Sequence, residues 1–138
     1  MENNSFFIQK LRSSGLRPTK QRIKISKILF EREKTFHFTI ANLSKIIENK
    51  LGEKISLATV YNTVNALKKK GYLKEISINS DKSYYDTNIS HHHHFYDEST
   101  RELIDLDDKY VSNVKVKKSL SGKKIKSIEV LVKVANSN

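Results

Sequence analysis

Residues 55–71, ISLATVYNTVNALKKKG, decide how the rest of the chain is read. Ser56 is a strong N-cap residue, because its hydroxyl accepts from an otherwise orphaned first-turn amide, and Gly71 supplies the left-handed residue that closes a helix. Between them Leu57, Val60, Val64 and Leu67 recur at three- and four-residue spacing and predict one apolar helical stripe. The other side carries Ser56, Thr59, Tyr61, Asn62, Thr63 and Asn65 at the front, with Lys68, Lys69 and Lys70 behind. Short hydrogen-bonding side chains can read base edges and lysines can hold phosphates, so this face suits duplex DNA. A solvated helix with a basic last turn, favoured by the helix dipole, is the plainer alternative.

Working back from this stretch, Thr39 caps a helix whose Ile40, Leu43, Ile46, Ile47 and Leu51 form a buried face ending at Gly52. Only a short turn separates Gly52 from Ser56. The two helices therefore make a helix-turn-helix with residues 57–70 in the recognition position. Earlier still, Phe7 and Leu11 mark a short helix stopped by Gly15. Pro18 and the capping Thr19 then start another, with Ile23, Ile25, Ile28 and Leu29 on its apolar side and Lys20, Arg22, Lys24 and Lys27 outside. Forward of Gly71, Leu73, Ile76 and Ile78 lead through Asn79, Ser80, Asp81 and Lys82 to a returning strand at 83–87. A hairpin directly behind a recognition helix is a wing, able to touch the sugar-phosphate backbone.

From residue 89 the pattern changes. Strands are predicted at 91–96 and 102–106, then a helix from an Asp107 or Asp108 cap toward Leu120, a break at Gly122, and a last strand in which Ile128, Val130, Val132 and Val134 alternate. The expected fold class is α+β: a winged helix-turn-helix domain over residues 1–88, followed by a small α/β unit over residues 89–138.

Composition narrows the function. A formal net charge of +11 on 138 residues points to a polyanionic partner, most often nucleic acid. Residues 1–90 hold 17 Lys and Arg against 8 Asp and Glu, whereas residues 91–138 hold 9 against 7, so the basic surface belongs to the first part and residues 97–108 form a local acidic patch. The hydrophobic fraction of 37% leaves two small units with thin cores, which predicts support from dimerisation. No apolar run suffices to span a bilayer and the N-terminus lacks a secretory pattern, so a cytoplasmic protein without a membrane partner is expected. Cysteine is absent, which removes disulfides, thiolate zinc sites and cysteine nucleophiles together.

Any metal must then be held by His and carboxylates. His91, His92, His93 and His94 form an uninterrupted run, and on a strand alternate side chains face opposite ways, placing His92 and His94 on one face. A polar exposed strand with nothing bound is the plain alternative. Partners are available in Asp86 at the end of the hairpin, Asp105 on the neighbouring strand and His37 before the third helix. Imidazole with carboxylate, and no sulfur, suits Fe(II), Mn(II) or Zn(II).

Three strings, GLRPTKQR at 15–22, SLATVYNTVNALKKKGYL at 56–73 and YYDTNISHHHHFY at 84–96, together resemble the ferric uptake regulator family over nearly the whole chain. The NTV after Tyr61, the DTN triplet and the unbroken histidines look most like its iron response regulator branch. The resemblance implies an N-terminal winged-helix DNA-binding domain, a C-terminal dimerisation domain and a regulatory metal site at the hinge. Its ligands fall on His37, Asp86, His92, His94 and Asp105. Its DNA-contacting positions fall on Tyr61 with its neighbours and on Arg17. In the branch that this chain resembles, haem would draw axial ligands from His91, His92, His93 and His94. Two departures stand out. The first CxxC pair of the family's structural zinc site falls at Asp97 and Thr100, so that four-cysteine site is absent, and Asn62 replaces a frequent Arg after the recognition tyrosine.

The resulting expectation is a metal- and haem-responsive homodimeric transcriptional regulator of iron and haem homeostasis genes that reads a pseudo-palindromic operator. Tyr61 and Asn62 would supply specificity, and Lys20, Arg22, Lys68, Lys69 and Lys70 would hold phosphates. Two rivals compete with it. One is a metalloenzyme built on the His/Asp group, although no nucleophile arrangement or Gly-rich phosphate loop supports it. The other is a winged-helix DNA-binding protein with no effector.

Overall fold

A computed structural model describes residues 3–137 and divides the chain into two compact units, one ending at Ile89 and the other beginning at Ser90. The first holds four helices, α1 (Ser5–Ser13), α2 (Lys20–Phe30), α3 (Ile40–Leu51) and α4 (Leu57–Lys70). Each of the last three starts on a side-chain cap. The Thr19 hydroxyl accepts from the Arg22 amide, Thr39 and Asn42 form a reciprocal capping box, and the Ser56 hydroxyl accepts from the Thr59 amide. Gly52 and Gly71 close α3 and α4 at φ of 62° and 96°, conformations that cost a residue with a Cβ far more.

Leu43 and Ile47 of α3 meet Val60, Val64 and Leu67 of α4, all fully buried, in one cluster with Ile25 and Leu29 of α2 and Phe38. Ile55, in the turn between the two helices, is buried with them. The wing is β2 (Lys74–Asn79) and β3 (Lys82–Asp86), with β1 (His37–Phe38) on the other side of β3. The expected stripe of α4 needs two corrections. Leu57 is 59% exposed, because it sits in the first turn beyond the edge of the cluster. Thr63, expected on the polar face, is fully buried, and its hydroxyl donates to the Thr59 carbonyl one turn back at 2.7 Å. His37, placed from sequence only as preceding the third helix, lies in the short strand β1.

The second unit is a three-stranded sheet of β4 (His93–Asp97), β5 (Glu102–Leu106) and β6 (Leu131–Val134) in the order β5-β4-β6. β4 and β5 form an antiparallel hairpin, while β6 runs parallel to β4 with His94 opposite Leu131. A parallel pair needs a long crossover, usually a helix. Here the predicted helix toward Leu120 is absent: one 3-10 turn at Asp108–Tyr110 is followed by irregular backbone until β6. The sequence accounts for this, since Val114, Lys115, Val116 and Lys117 alternate with period two and valine restricts χ1 in a helix. The last strand also starts later than the alternation suggested, at Leu131 rather than Ile128.

Candidate functional site

The α4 surface presents the predicted DNA-reading residues unequally. Tyr61 is half exposed and Asn62 exposed, whereas Asn65 is partly covered. Ser56 and Thr59 are tied to each other, the Ser56 hydroxyl donating to Thr59 Oγ1 at 2.9 Å. Arg17, Lys20, Arg22 and Thr59 line one open depression of about 700 Å³ with Thr19 and Gln21. A second, of about 410 Å³, collects Asn62, Asn65, Lys69 and Lys70 with Ser13 and Ser14. Tyr61 lines a third with Thr39 at the start of α3 and the wing-tip residues Ser80, Asp81 and Lys82. Ser13, Ser14 and Gln21 were not singled out from sequence, because only folding brings them beside α4.

Charge along this surface is partly internal. Arg22 Nη1 donates to the Arg17 carbonyl at 3.1 Å, which holds the two side by side. Lys68 Nζ donates to Glu75 Oε1 at 2.9 Å, so one of the three lysines closing α4 already has an anion. The bond from Lys68, aided by one from Ser83, holds the Glu75 carboxyl below the usual carboxylate range. Nearby, burial pushes the Tyr85 phenol up, and the charges of Glu75 and Tyr61 add to the effect.

The expected metal ligands occur as two groups, one in each unit. In the first, β1 and β3 pair with His37 opposite Asp86, and His37 Nε2 lies 3.1 Å from Asp86 Oδ2. Asp86 is fully buried, and its other oxygen accepts from the Asn88 amide at 2.8 Å. A carboxylate taken out of water needs such partners, and a cation is the strongest of them.

In the second unit, His92 and His94 lie within ion-pair distance of one carboxylate, with their Nε2 atoms 3.2 and 3.4 Å from Asp105 Oδ1. The two rings lie 4.5 Å apart, centroid to centroid. His92 Nδ1 donates to the Ser90 carbonyl at 2.7 Å, which leaves the lone pair of a neutral ring on Nε2, facing the carboxylate. Two acceptors at that distance repel unless a proton on the ring or a metal ion lies between them. Orientation of a histidine by donation to a backbone carbonyl is the usual outer support of a metal ligand. Ligand atoms about 2.1 Å from a tetrahedral ion are themselves roughly 3.4 Å apart, so this donor set fits a divalent metal.

His91 and His93 behave differently. His93 Nδ1 accepts from the Val130 amide at 2.9 Å, so its proton is on Nε2, which donates to Asp108 Oδ1 at 2.7 Å. That bond, with the field of His91 beside it, holds the exposed Asp108 carboxyl below its ordinary value. His91, His93 and Asp108 offer donor atoms within 4.8 Å of one another, but both nitrogens of His93 are already engaged. The alternation of the four histidines was legible in sequence. The role of Asp108 and Val130 was not, because both are remote from His93 along the chain.

The sequence profile of the Ferric uptake regulator family matches residues 13–133. The Ferric uptake regulation protein of Vibrio anguillarum is 32% identical over 104 residues, covering 75% of this chain and 68% of that protein. The Peroxide-responsive repressor PerR of Staphylococcus epidermidis is 31% identical over 99 residues, covering 72% of this chain and 64% of that protein. The matches thus span about two thirds of these curated relatives. Among solved structures, the Vibrio cholerae ferric uptake regulator superposes with a TM-score of 0.68 at 23% identity, covering 94% of this chain and 98% of that one. The Pseudomonas aeruginosa ferric uptake regulator with manganese gives a TM-score of 0.67 at 20% identity, over 96% and 98% of the two chains.

Proposed function

The chain belongs to the ferric uptake regulator family, and from that premise we propose that it is a metal-responsive, homodimeric transcriptional regulator that binds a pseudo-palindromic operator. In this reading the first unit is the DNA-binding domain and the second the dimerisation domain. The α4 helix enters the major groove, with Tyr61 and Asn62 at base edges and Arg17, Lys20, Arg22, Lys69 and Lys70 on phosphates. Two-fold symmetry spaces the half-sites by about one helical turn or a multiple of it.

The observation that carries the metal reading is the convergence of His92 Nε2 and His94 Nε2 on Asp105, together with the buried Asp86 beside His37. We assign one divalent ion to these five residues. Bound there, a metal supplies a link between the units that favours one orientation of the DNA-binding domains, and a coupling of about 1 to 3 kcal/mol is typical for such a switch. His92 is oriented by Ser90 and Asp86 by Asn88, so both present fixed donors. The curated relatives are named as regulators and a repressor, which sets the metalloenzyme alternative aside.

Within the family, the unbroken histidines favour the iron response regulator branch and with it a haem response and a cytoplasmic place in iron and haem homeostasis. Because His93 uses both ring nitrogens internally, His91 is the axial ligand of this reading. The test is fluorescence anisotropy of an AT-rich palindromic duplex at fixed salt, with metal-free protein, with Mn(II) and with haem. Mn(II) is expected to tighten binding and haem to weaken it. Coincident curves with and without Mn(II) would overturn the metal response, and an unchanged haem curve the branch assignment.

A further inference from the structure

Three polar groups around the start of α3 lack hydrogen-bond partners, and all three border one depression. The capping box satisfies two amides there, since the Asn42 amide donates to Thr39 Oγ1 and the Thr39 amide to Asn42 Oδ1. The Ile40 and Ala41 amides, at the first two helical positions, have no acceptor among the described residues. All 12 residues of α3 stand behind them, so the positive end of the helix dipole lies here.

An independent observation comes from the sheet. Tyr85 lies opposite Phe38 on one side and Glu75 on the other, and its ring stacks on Phe38 with centroids 5.6 Å apart. Only 5% of this side chain is exposed, yet among the described residues its hydroxyl makes no hydrogen bond. A buried phenol usually has a partner. Tyr85 lines an open depression of about 480 Å³ with Ile40, Ala41, Tyr61 and the wing tip. Unused donors therefore reach one space from two directions, amides from the helix and a phenol from the sheet.

Amides at a helix start, joined by a hydroxyl, suit an anion. Net charge around the depression is small. Glu75 is held by Lys68 and Ser83, and at the wing tip Asp81 is followed by Lys82. Oriented dipoles, rather than an excess of lysine, set the preference. Tyr61 ties the depression to the exposed face of α4.

We propose that the start of α3 and the Tyr85 hydroxyl form a subsite for one backbone phosphate of the duplex that α4 reads. This rests on the operator-binding reading above and deepens it by naming a phosphate contact made without lysine or arginine. The phosphate oxygens accept from the Ile40 and Ala41 amides and from the Tyr85 hydroxyl. A backbone contact is blind to sequence, and neutral donors leave the salt dependence of binding unchanged.

The test is anisotropy of the full chain on palindromic duplexes in which one phosphate at a time is replaced by an uncharged methylphosphonate. Tyr85→Phe removes the hydroxyl and keeps the stacked ring. It is expected to weaken operator and random duplex alike by about tenfold, as loss of a hydrogen bond to a charged group does, with the salt slope of the wild type. One methylphosphonate position per half-site is expected to weaken the wild type about as much, and its effect should shrink roughly threefold or more in Tyr85→Phe, because the two changes remove one contact. Ile40→Pro removes the first amide at a position that proline suits, after a Thr39 already extended at φ −97° and ψ 164°, and is expected to lose sensitivity at the same phosphate. A wild-type chain that binds no duplex would overturn both the operator reading and the subsite. Wild-type binding with Tyr85→Phe unchanged, or with the same methylphosphonate profile in all three proteins, would overturn the subsite alone. A loss confined to the operator would place the hydroxyl on a base and also overturn it.

Discussion

Asn62 and Glu75 test the interface at the scale of single side chains. Asn62 is exposed on α4 and its amide matches the donor and acceptor pattern of adenine, so Asn62→Ala should cost about 1 to 3 kcal/mol on the operator and almost nothing on random duplex. Anisotropy on both duplexes measures the difference. In the proposed interface Glu75 would oppose binding, because it occupies Lys68. Glu75→Gln should free that lysine for a phosphate and steepen the dependence of log affinity on log salt by about 0.9. The same substitution carries a pH signature. The folded state lowers the Glu75 pKa, so its charge contributes stability above the unfolded value, near 4.5, and that contribution is lost as pH falls through the folded value. The wild type should exceed Glu75→Gln in denaturant midpoint at neutral pH, and the gap should close in acid. The polar and basic residue types of the α4 face were legible in sequence, but the Lys68–Glu75 pair was not, since it joins a helix to a strand that only the wing brings alongside.

At the scale of elements, the capped and glycine-terminated helices were legible because cap, stripe and stop agree. Leu67 lies on the α4 stripe and is fully buried against α2 and α3, so Leu67→Ala should cost roughly 2 to 5 kcal/mol in urea unfolding. Leu57→Ala, one end of the same stripe, should cost little, since that side chain stands largely in water. The crossover after β5 was misread for a physical reason. Asp107 does act as a cap, accepting from the Lys109 amide, but a cap starts a helix without sustaining one. Beyond it valine and lysine alternate, and that period outweighs the cap. The wing was legible from its turn residues, whereas β1 is two residues long and shows no period at all.

For the whole molecule, the two groups of candidate metal ligands give one joint prediction. If one ion unites them, His37→Ala in the first unit and His94→Ala in the second should abolish the Mn(II) enhancement of operator affinity to the same extent, with metal-free affinity unchanged. A chelator should reduce the wild type to the level of the variants, and a loss confined to one variant would separate the groups. The candidate donors could be picked out in sequence because histidines are few and four of them are consecutive. Their geometry rested on register, His37 opposite Asp86 and His94 opposite Asp105, which sequence alone does not set. The parallel pairing of β6 with β4 also bears on how the chain acquires its structure in time. His93 and Val130 are 37 residues apart, so closing that contact costs loop entropy before any strand bond offsets it, whereas α3 and α4 meet across a short turn. Refolding from urea should therefore begin with a fast helical phase and end with a slower one, and His92 and His94 should become competent to capture an ion only in the slow phase.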